Sequence, residues 1–160
     1  MNGPRLEWIS RSNKLEVFKI PASIRIGRIP HYADIAVLAE RVSKFHAETR
    51  KVEGSHHIKD LDSVDGTYVN GNRIESQRLS SGDNIRISAA IEIQYREGPG
   101  SNVETETTIP RSDLDVCWIN ERRIIIGIYE GEASQILRFR LNQRVVEYDI
   151  KSILENYPNP

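Results

Sequence analysis

Apolar and polar residues alternate along several short stretches of the chain. The pattern holds in Leu6-Glu7-Trp8-Ile9, Leu15-Glu16-Val17-Phe18-Lys19-Ile20, Ser23-Ile24-Arg25-Ile26, Asn84-Ile85-Arg86-Ile87 and Ile91-Glu92-Ile93-Gln94-Tyr95. A period of two over this length predicts strands with one face on a core and the other in water. The stretches recur every 8–15 residues and are separated by Asn, Asp, Ser, Gly and Pro. That spacing predicts an all-β fold, an antiparallel β-sandwich or barrel. Val69-Asn70-Gly71-Asn72 carries the Asn-Gly pair that takes up positive φ at little cost, so it predicts a tight hairpin turn. No stretch before residue 98 keeps a helical period for three turns.

The pattern breaks at Gly98-Pro99-Gly100-Ser101-Asn102, and Val103 to Pro110 is polar and short of core residues. A first domain is therefore expected over residues 5–97, a linker over 98–112 and a small β-rich extension over 113–160. The extension reads as four strands, around Val116–Ile119, Arg123–Tyr129, Ile136–Leu141 and Val145–Tyr148. Asn120-Glu121 and Asn142-Gln143 are its expected turns. A short helix over Ile150–Glu155 follows, capped by Asp149 and ended by Pro158. A segment this small is not expected to be stable alone. It packs on the first domain, pairs with a copy of itself, or waits for a partner.

Composition narrows the function classes. The 160 residues carry 22 Lys+Arg against 23 Asp+Glu, a formal net charge of −1. Duplex nucleic-acid binders carry a clear basic excess, so no nucleic-acid partner is expected. One cysteine, Cys117, excludes an internal disulfide and a cysteine-rich zinc site. No apolar run approaches the ~20 residues of a membrane span, and Met1–Arg5 lacks the apolar core of a signal peptide. A soluble, cytoplasmic protein without membrane contact is expected. No metal or cofactor is expected either. The small positive balance lies in residues 1–99, with 15 Lys+Arg and 13 Asp+Glu.

Three clusters carry candidate chemistry: Ile26-Gly27-Arg28, Arg41-Val42-Ser43-Lys44-Phe45-His46, and Asp62-Ser63-Val64-Asp65-Gly66-Thr67-Tyr68-Val69-Asn70-Gly71. All three read as loops meeting strand ends. With Gly82-Asp83 they supply, in order, Gly-Arg, Ser-x-x-His, Gly-Thr-x-x-Asn and Gly-Asp. This pattern resembles the forkhead-associated (FHA) domain over roughly residues 5–97. The resemblance implies a β-sandwich of about 11 strands that binds phosphothreonine peptides. The residues suit that chemistry independently. A phosphothreonine brings about −1.5 to −2 charges and three acceptor oxygens. A reader needs fixed cations and hydroxyl or amide donors on loops held by a rigid scaffold. Arg28 offers a guanidinium fork, Ser43 its hydroxyl and as a second donor its backbone N–H, and Lys44 a mobile point charge.

The resemblance also assigns the remaining residues. His46 is structural, holding the neighbouring loop through backbone contacts. Gly27 and Gly66 meet backbone requirements, and Thr67 and Asn70 brace the loop and turn. Asp65 stands where the family has Asn, which contacts the peptide backbone. Asp65 keeps only acceptors and sets a negative charge near the phosphate, a repulsion of about 1 kcal/mol at a wet surface. Val64 stands where some members have a hydroxyl. Arg41 is expected to face the third residue after the phosphothreonine and to favour Asp or Glu there. Thr105, Thr107 and Thr108 are candidate phosphorylation sites. From Glu97 to Thr107 the chain spans at most about 33–36 Å, so docking onto a second copy is easier than docking in cis.

The expected function is recruitment of phosphorylated partner proteins in a Ser/Thr kinase pathway. The alternative is a structural or assembly protein that uses the scaffold without phosphate, or self-associates through its C-terminal strands. Catalysis is not expected. Ser43 and His46, three apart on a strand, point to opposite faces, and no third triad member or nucleophile elbow is present.

Overall fold

The computed structural model describes residues 3–99 and 109–156. The first half of the chain forms β1 (Arg5–Ile9), β2 (Leu15–Lys19), β3 (Ser23–Gly27), β4 (Ile35–Val37), β5 (Ala47–Val52) and β6 (Ser55–Asp60). It continues with β7 (Thr67–Val69), β8 (Asn72–Arg73), β9 (Ser76–Arg78), β10 (Asn84–Ile87) and β11 (Ile91–Arg96). The C-terminal part adds β12 (Asp115–Asn120), β13 (Arg123–Ala133), β14 (Ile136–Leu141), β15 (Arg144–Asp149) and the helix α1 (Ile150–Asn156). No helix among the described residues is long and apolar enough to cross a membrane.

Two sheets form a sandwich. One has the order β2-β1-β11-β10-β7-β8; the other runs β15-β14-β13-β4-β3-β5-β6-β9, with β12 also paired to β13. The alternating positions meet between them. Leu6, Trp8, Phe18, Ile24, Ile26, Ile58, Ile85, Ile93 and Tyr95 are all buried in one cluster. The expected hairpin is present between β7 and β8, with Asn70 at φ 51° and Gly71 at φ 83°.

Two features depart from simple alternation. The outward positions of β1 and β11 are buried as well, because Arg5, Glu7, Gln94 and Arg96 cover one another. Arg5 Nε donates to Glu7 Oε2 at 2.7 Å, and Arg96 Nη1 to Gln94 Oε1 at 2.8 Å. Burying such charges is tolerable when they are paired and hydrogen-bonded. Second, β4 runs parallel to β3, with Ile26 opposite Ile35, because the intervening loop returns to the side of β3 before β4 begins.

The C-terminal strands pack on the sandwich. β13 adds to β4 in parallel, with Ile124, Ile125 and Ile126 opposite Ile35, Ala36 and Val37. Ile124 and Ile126 join the main core, and Leu114 and Val116 pack against it. Ile125, pointing the other way, joins Ala33, Ala36, Leu38, Leu137, Phe139 and Ile153 in a second cluster. The end of the expected linker is also fastened: Ile9 N–H donates to the Pro110 carbonyl and Ser112 N–H to the Ile9 carbonyl, both at 2.8 Å. The helix begins as expected, with Asp149 Oδ1 accepting the Lys151 N–H at 2.9 Å. Its Pro158 stop lies outside the described residues.

Shared core residues imply one cooperative unit. Ile126→Ala removes a fully buried side chain and is expected to cost about 2–5 kcal/mol. Urea unfolding followed by Trp fluorescence and far-UV dichroism should give one coincident transition shifted to lower denaturant. Two separate transitions would show that the C-terminal strands fold apart from the sandwich.

Candidate functional site

The three sequence clusters meet at one end of the sandwich. Gly27 makes this possible. A Cβ there would collide with the Lys44 carbonyl oxygen, so only glycine lets the end of β3 lie against the β4–β5 loop. Backbone bonds then fix the register: Arg28 N–H to the Ser43 carbonyl and His46 N–H to the Ile26 carbonyl, both at 3.0 Å. Arg28 and Ser43, 15 positions apart in the chain, become neighbours.

The Arg28 guanidinium is half-buried and held by backbone. Its Nη1 donates to the carbonyls of Val42 at 3.0 Å and Glu40 at 3.3 Å. It makes no ion pair among the described residues, so its charge is available to an anion. Ser43 Oγ accepts the Val64 N–H at 3.0 Å, which leaves the hydroxyl hydrogen to donate. The backbone N–H of Ser43 is not available as a second donor. It points at His46 Nδ1 at 3.1 Å.

His46 is completely buried. Its Nε2 lies 2.9 Å from the Gly66 carbonyl oxygen, which only accepts, so Nε2 carries the proton and Nδ1 accepts from Ser43. Burial pushes the His46 pKa below its ordinary 6.5, against the smaller opposing pull of the Gly66 carbonyl, Asp60 and Asp65. Both ring nitrogens serve backbone, and the ring ties the Ser43 loop to the Gly66 loop.

Asp65 and Arg41 meet each other. Arg41 Nε lies 2.9 Å from each Asp65 carboxylate oxygen, and Ser88 Oγ donates to Asp65 Oδ2 at 2.8 Å. These hydrogen bonds, Arg41's first, hold the Asp65 pKa at about 2. The two side chains pair with one another, so Arg41 offsets the repulsion expected of Asp65.

Lys44 lies over two aromatic rings, 4.6 Å from the Tyr32 centroid and 5.5 Å from that of Phe45. Both rings are exposed. Thr67 Oγ1 donates to Asp60 Oδ1 at 2.8 Å, and Asn70 Nδ2 to Asp83 Oδ1 at 2.9 Å. Gly66 adopts φ 91°, a conformation that favours glycine, and its N–H is held by Ser63 Oγ at 3.0 Å. Arg28, Glu40, Arg41, Ser43, Lys44 and Val64 line an open hollow of about 310 Å³. Thr105, Thr107 and Thr108 lie outside the described residues. No group of His, Cys, Asp and Glu among the described residues is arranged to hold a metal ion.

Sequence reasoning missed Ser88, Tyr32 and Asp60, and gave Phe45 and Ser63 no role although both lie in the candidate clusters. The Asp60-x-x-Ser63 spacing was a legible turn signal. Ser88, Tyr32 and Phe45 carry none, since their roles come only from loops meeting in space.

The neutral imidazole of His46 gives a pH dependence. Its folded pKa is lowered, so its contribution to stability is complete above about pH 6.5 and is lost as pH falls through the folded value. Stability measured from pH 7.5 to 5 should decline below pH 6.5. His46→Asn should be less stable at pH 7.5 and lose that decline. An unchanged decline in the variant would assign it to another group.

Comparison with known proteins agrees with this geometry. Residues 24–88 match the family model of the FHA domain. An oxoglutarate dehydrogenase inhibitor of Corynebacterium diphtheriae is 41% identical over 73 residues, 46% of this chain and 50% of that protein. The chain spans about half the length of the curated relatives it matches. A solved FHA domain, from work on phosphothreonine-dependent FHA interactions, is 29% identical. It superposes with a TM-score of 0.51, covering 60% of this chain and 97% of that one. EmbR of Mycobacterium tuberculosis, solved in complex with a low-affinity phosphopeptide, is 28% identical. Its TM-score is 0.54, over 62% of this chain and 26% of that one. The chain carries an FHA domain.

Proposed function

We propose that this FHA-domain chain is a phosphothreonine reader in the cytoplasm that recruits phosphorylated partner proteins in Ser/Thr kinase signalling. One observation carries the reading: Arg28 and Ser43 share an open hollow, and Arg28 has no carboxylate partner among the described residues. A carboxylate bound to Arg28 would have favoured a phosphate-independent assembly role. Asp65, the nearby candidate for that part, is held by Arg41 and Ser88.

In the proposed complex the phosphate lies between the Arg28 guanidinium and the Ser43 hydroxyl. Lys44 is near enough to leave its aromatic perch and add a third contact. Charge-assisted hydrogen bonds contribute roughly 1.5–3 kcal/mol each. Two of them separate a phosphorylated from an unmodified peptide by roughly a hundredfold or more. The action is binding, and no reaction is assigned. One solved neighbour comes from a study of phosphothreonine-dependent interactions, and another holds a phosphopeptide. A relative is named as an enzyme inhibitor. Control of a partner enzyme by docking is consistent with these.

Calorimetric titration with phosphothreonine, phosphoserine and unmodified peptide pools tests the reading. Binding is expected for phosphothreonine alone. Arg28→Ala and Ser43→Ala should each weaken it at least about tenfold. Equal binding of unmodified peptides, or no effect of either variant, would overturn it.

Asp65 gives a second test. Asp65→Asn removes a carboxylate beside the hollow and frees Arg41. Phosphopeptide affinity should rise about two- to fivefold, with the larger gain at low salt. A loss of affinity would show that the Arg41–Asp65 pair positions the loop rather than merely balancing charge.

A further inference from the structure

The C-terminal hairpin stands beside the recognition loops. β13 runs parallel to β3 and β4, toward the end of the sandwich that carries Arg28 and Ser43. β4 stops at Val37 and its chain turns into the loop holding Ser43, whereas β13 continues seven residues past Ile126. β14 and β15 pair onto that overshooting half. The β14–β15 turn is fastened to the site: Asn142 Nδ2 donates to Glu40 Oε1 at 2.9 Å. Glu40 is the residue whose carbonyl accepts from Arg28. On the far side of the hairpin, His31 Nε2 lies 3.0 Å from Ser152 Oγ.

The hairpin strands carry three arginines. Arg138 pairs with Glu147 at 3.3 Å, and Arg140 pairs with Glu130. Arg144 is exposed and has no ion pair among the described residues. It alternates with Val146 and Tyr148, so the three share one face of β15. Tyr148 lies 6.3 Å, ring to ring, from His31 of the β3–β4 loop. Burial raises the Tyr148 pKa, and Arg28 and Arg144 both pull it back. Tyr148 thus joins the hairpin to the loop that follows Arg28, as Asn142 joins it to Glu40.

We propose that the β14–β15 hairpin is a second wall of the peptide site, where Arg144 reads an acidic residue flanking the phosphothreonine. This rests on the phosphopeptide reading above. It differs from the expectation for Arg41, whose charge is already satisfied by Asp65. Among the described residues Arg144 is the hairpin arginine without an ion pair, and a peptide Asp or Glu would supply one.

The experiment uses phosphothreonine peptides with neutral flanks, and versions with Glu or Lys placed singly at each of four positions on either side. Arg144→Glu and Arg144→Ala are compared with the wild-type chain. Val145→Thr, on the opposite face of β15, controls for disturbance of the hairpin. At one or two positions Glu should improve wild-type affinity about two- to fivefold over neutral. Arg144→Ala should abolish the gain, and Arg144→Glu should invert it in favour of Lys. The neutral-flank affinity of each variant is the reference for its own Glu and Lys effects, so a uniform change of charge near the hollow cancels. If the Glu preference survives in both variants, or no position prefers Glu, the assignment of Arg144 is overturned while Arg28-dependent binding of the neutral peptide stands. If the wild-type chain binds no phosphothreonine peptide, the function and this inference fall together.

Discussion

A single neutral imidazole holds the recognition end together. His46 accepts the Ser43 N–H on one ring nitrogen and donates to the Gly66 carbonyl on the other. Only the Nε2–H tautomer can do both, because an imidazolium has no acceptor for the amide. The ring is completely buried, which favours this uncharged form. Its two bonds fix the distance between the loop that carries Ser43 and the loop that carries Asp65. Ser43 is then oriented from two sides, by His46 at its amide and by Val64 at its hydroxyl oxygen. The remaining freedom of the Ser43 side chain is rotation of one proton, which costs little to order when an anion arrives.

Charge around the hollow is arranged with the same economy. Of the cations lining it, Arg28 is held by carbonyls, Arg41 by Asp65, and Lys44 by two aromatic rings. These partners differ in how easily they yield. Carbonyl contacts orient Arg28 without cancelling its charge, so it is ready for a dianion. A cation–π contact at an exposed site is worth about 0.5–1 kcal/mol, less than a charge-assisted bond to phosphate. Lys44 can therefore exchange one for the other. The Asp65 carboxylate is the strongest competitor, and it is held by Arg41 rather than by Arg28. A substitution that looked adverse in isolation becomes tolerable because Arg41 stands 24 positions away in sequence and in contact in space.

The pattern of alternation disclosed the sandwich, the β7–β8 turn, the C-terminal strands and the capped helix. It did so because those features rest on local signals: period-two burial, Asn-Gly at positive φ, Asp149 before Ile150. The site clusters were legible for a similar reason, since close backbone approach at Gly27 leaves no substitute for glycine. What stayed hidden depends on partners distant in sequence. Nothing local in Arg41 or Asp65 reveals their pairing. Nothing in Ser43 shows that its amide is spent on His46. The parallel addition of β13 to β4 was equally invisible, because a run of Ile124-Ile125-Ile126 buried on both faces has no period to read.

That isoleucine run also explains how a short C-terminal segment can influence the binding end. Its side chains alternate between two cores: Ile124 and Ile126 enter the sandwich, Ile125 the smaller cluster beneath α1. The smaller cluster takes Leu38 from the start of the recognition loop and Ala33 from the loop after Arg28, together with Phe139 and Ile153 from the C-terminal elements. Neither the hairpin nor the loops can move without opening apolar surface that the other covers, at about 25 cal/mol per Å². A loop that reads a peptide must be rigid enough to keep its donors aimed. Isolated loops at the end of a sandwich gain that rigidity from their own hydrogen bonds. Here the β13 extension adds a packed wall behind them, so the geometry of Arg28 is set from both the sandwich and the hairpin.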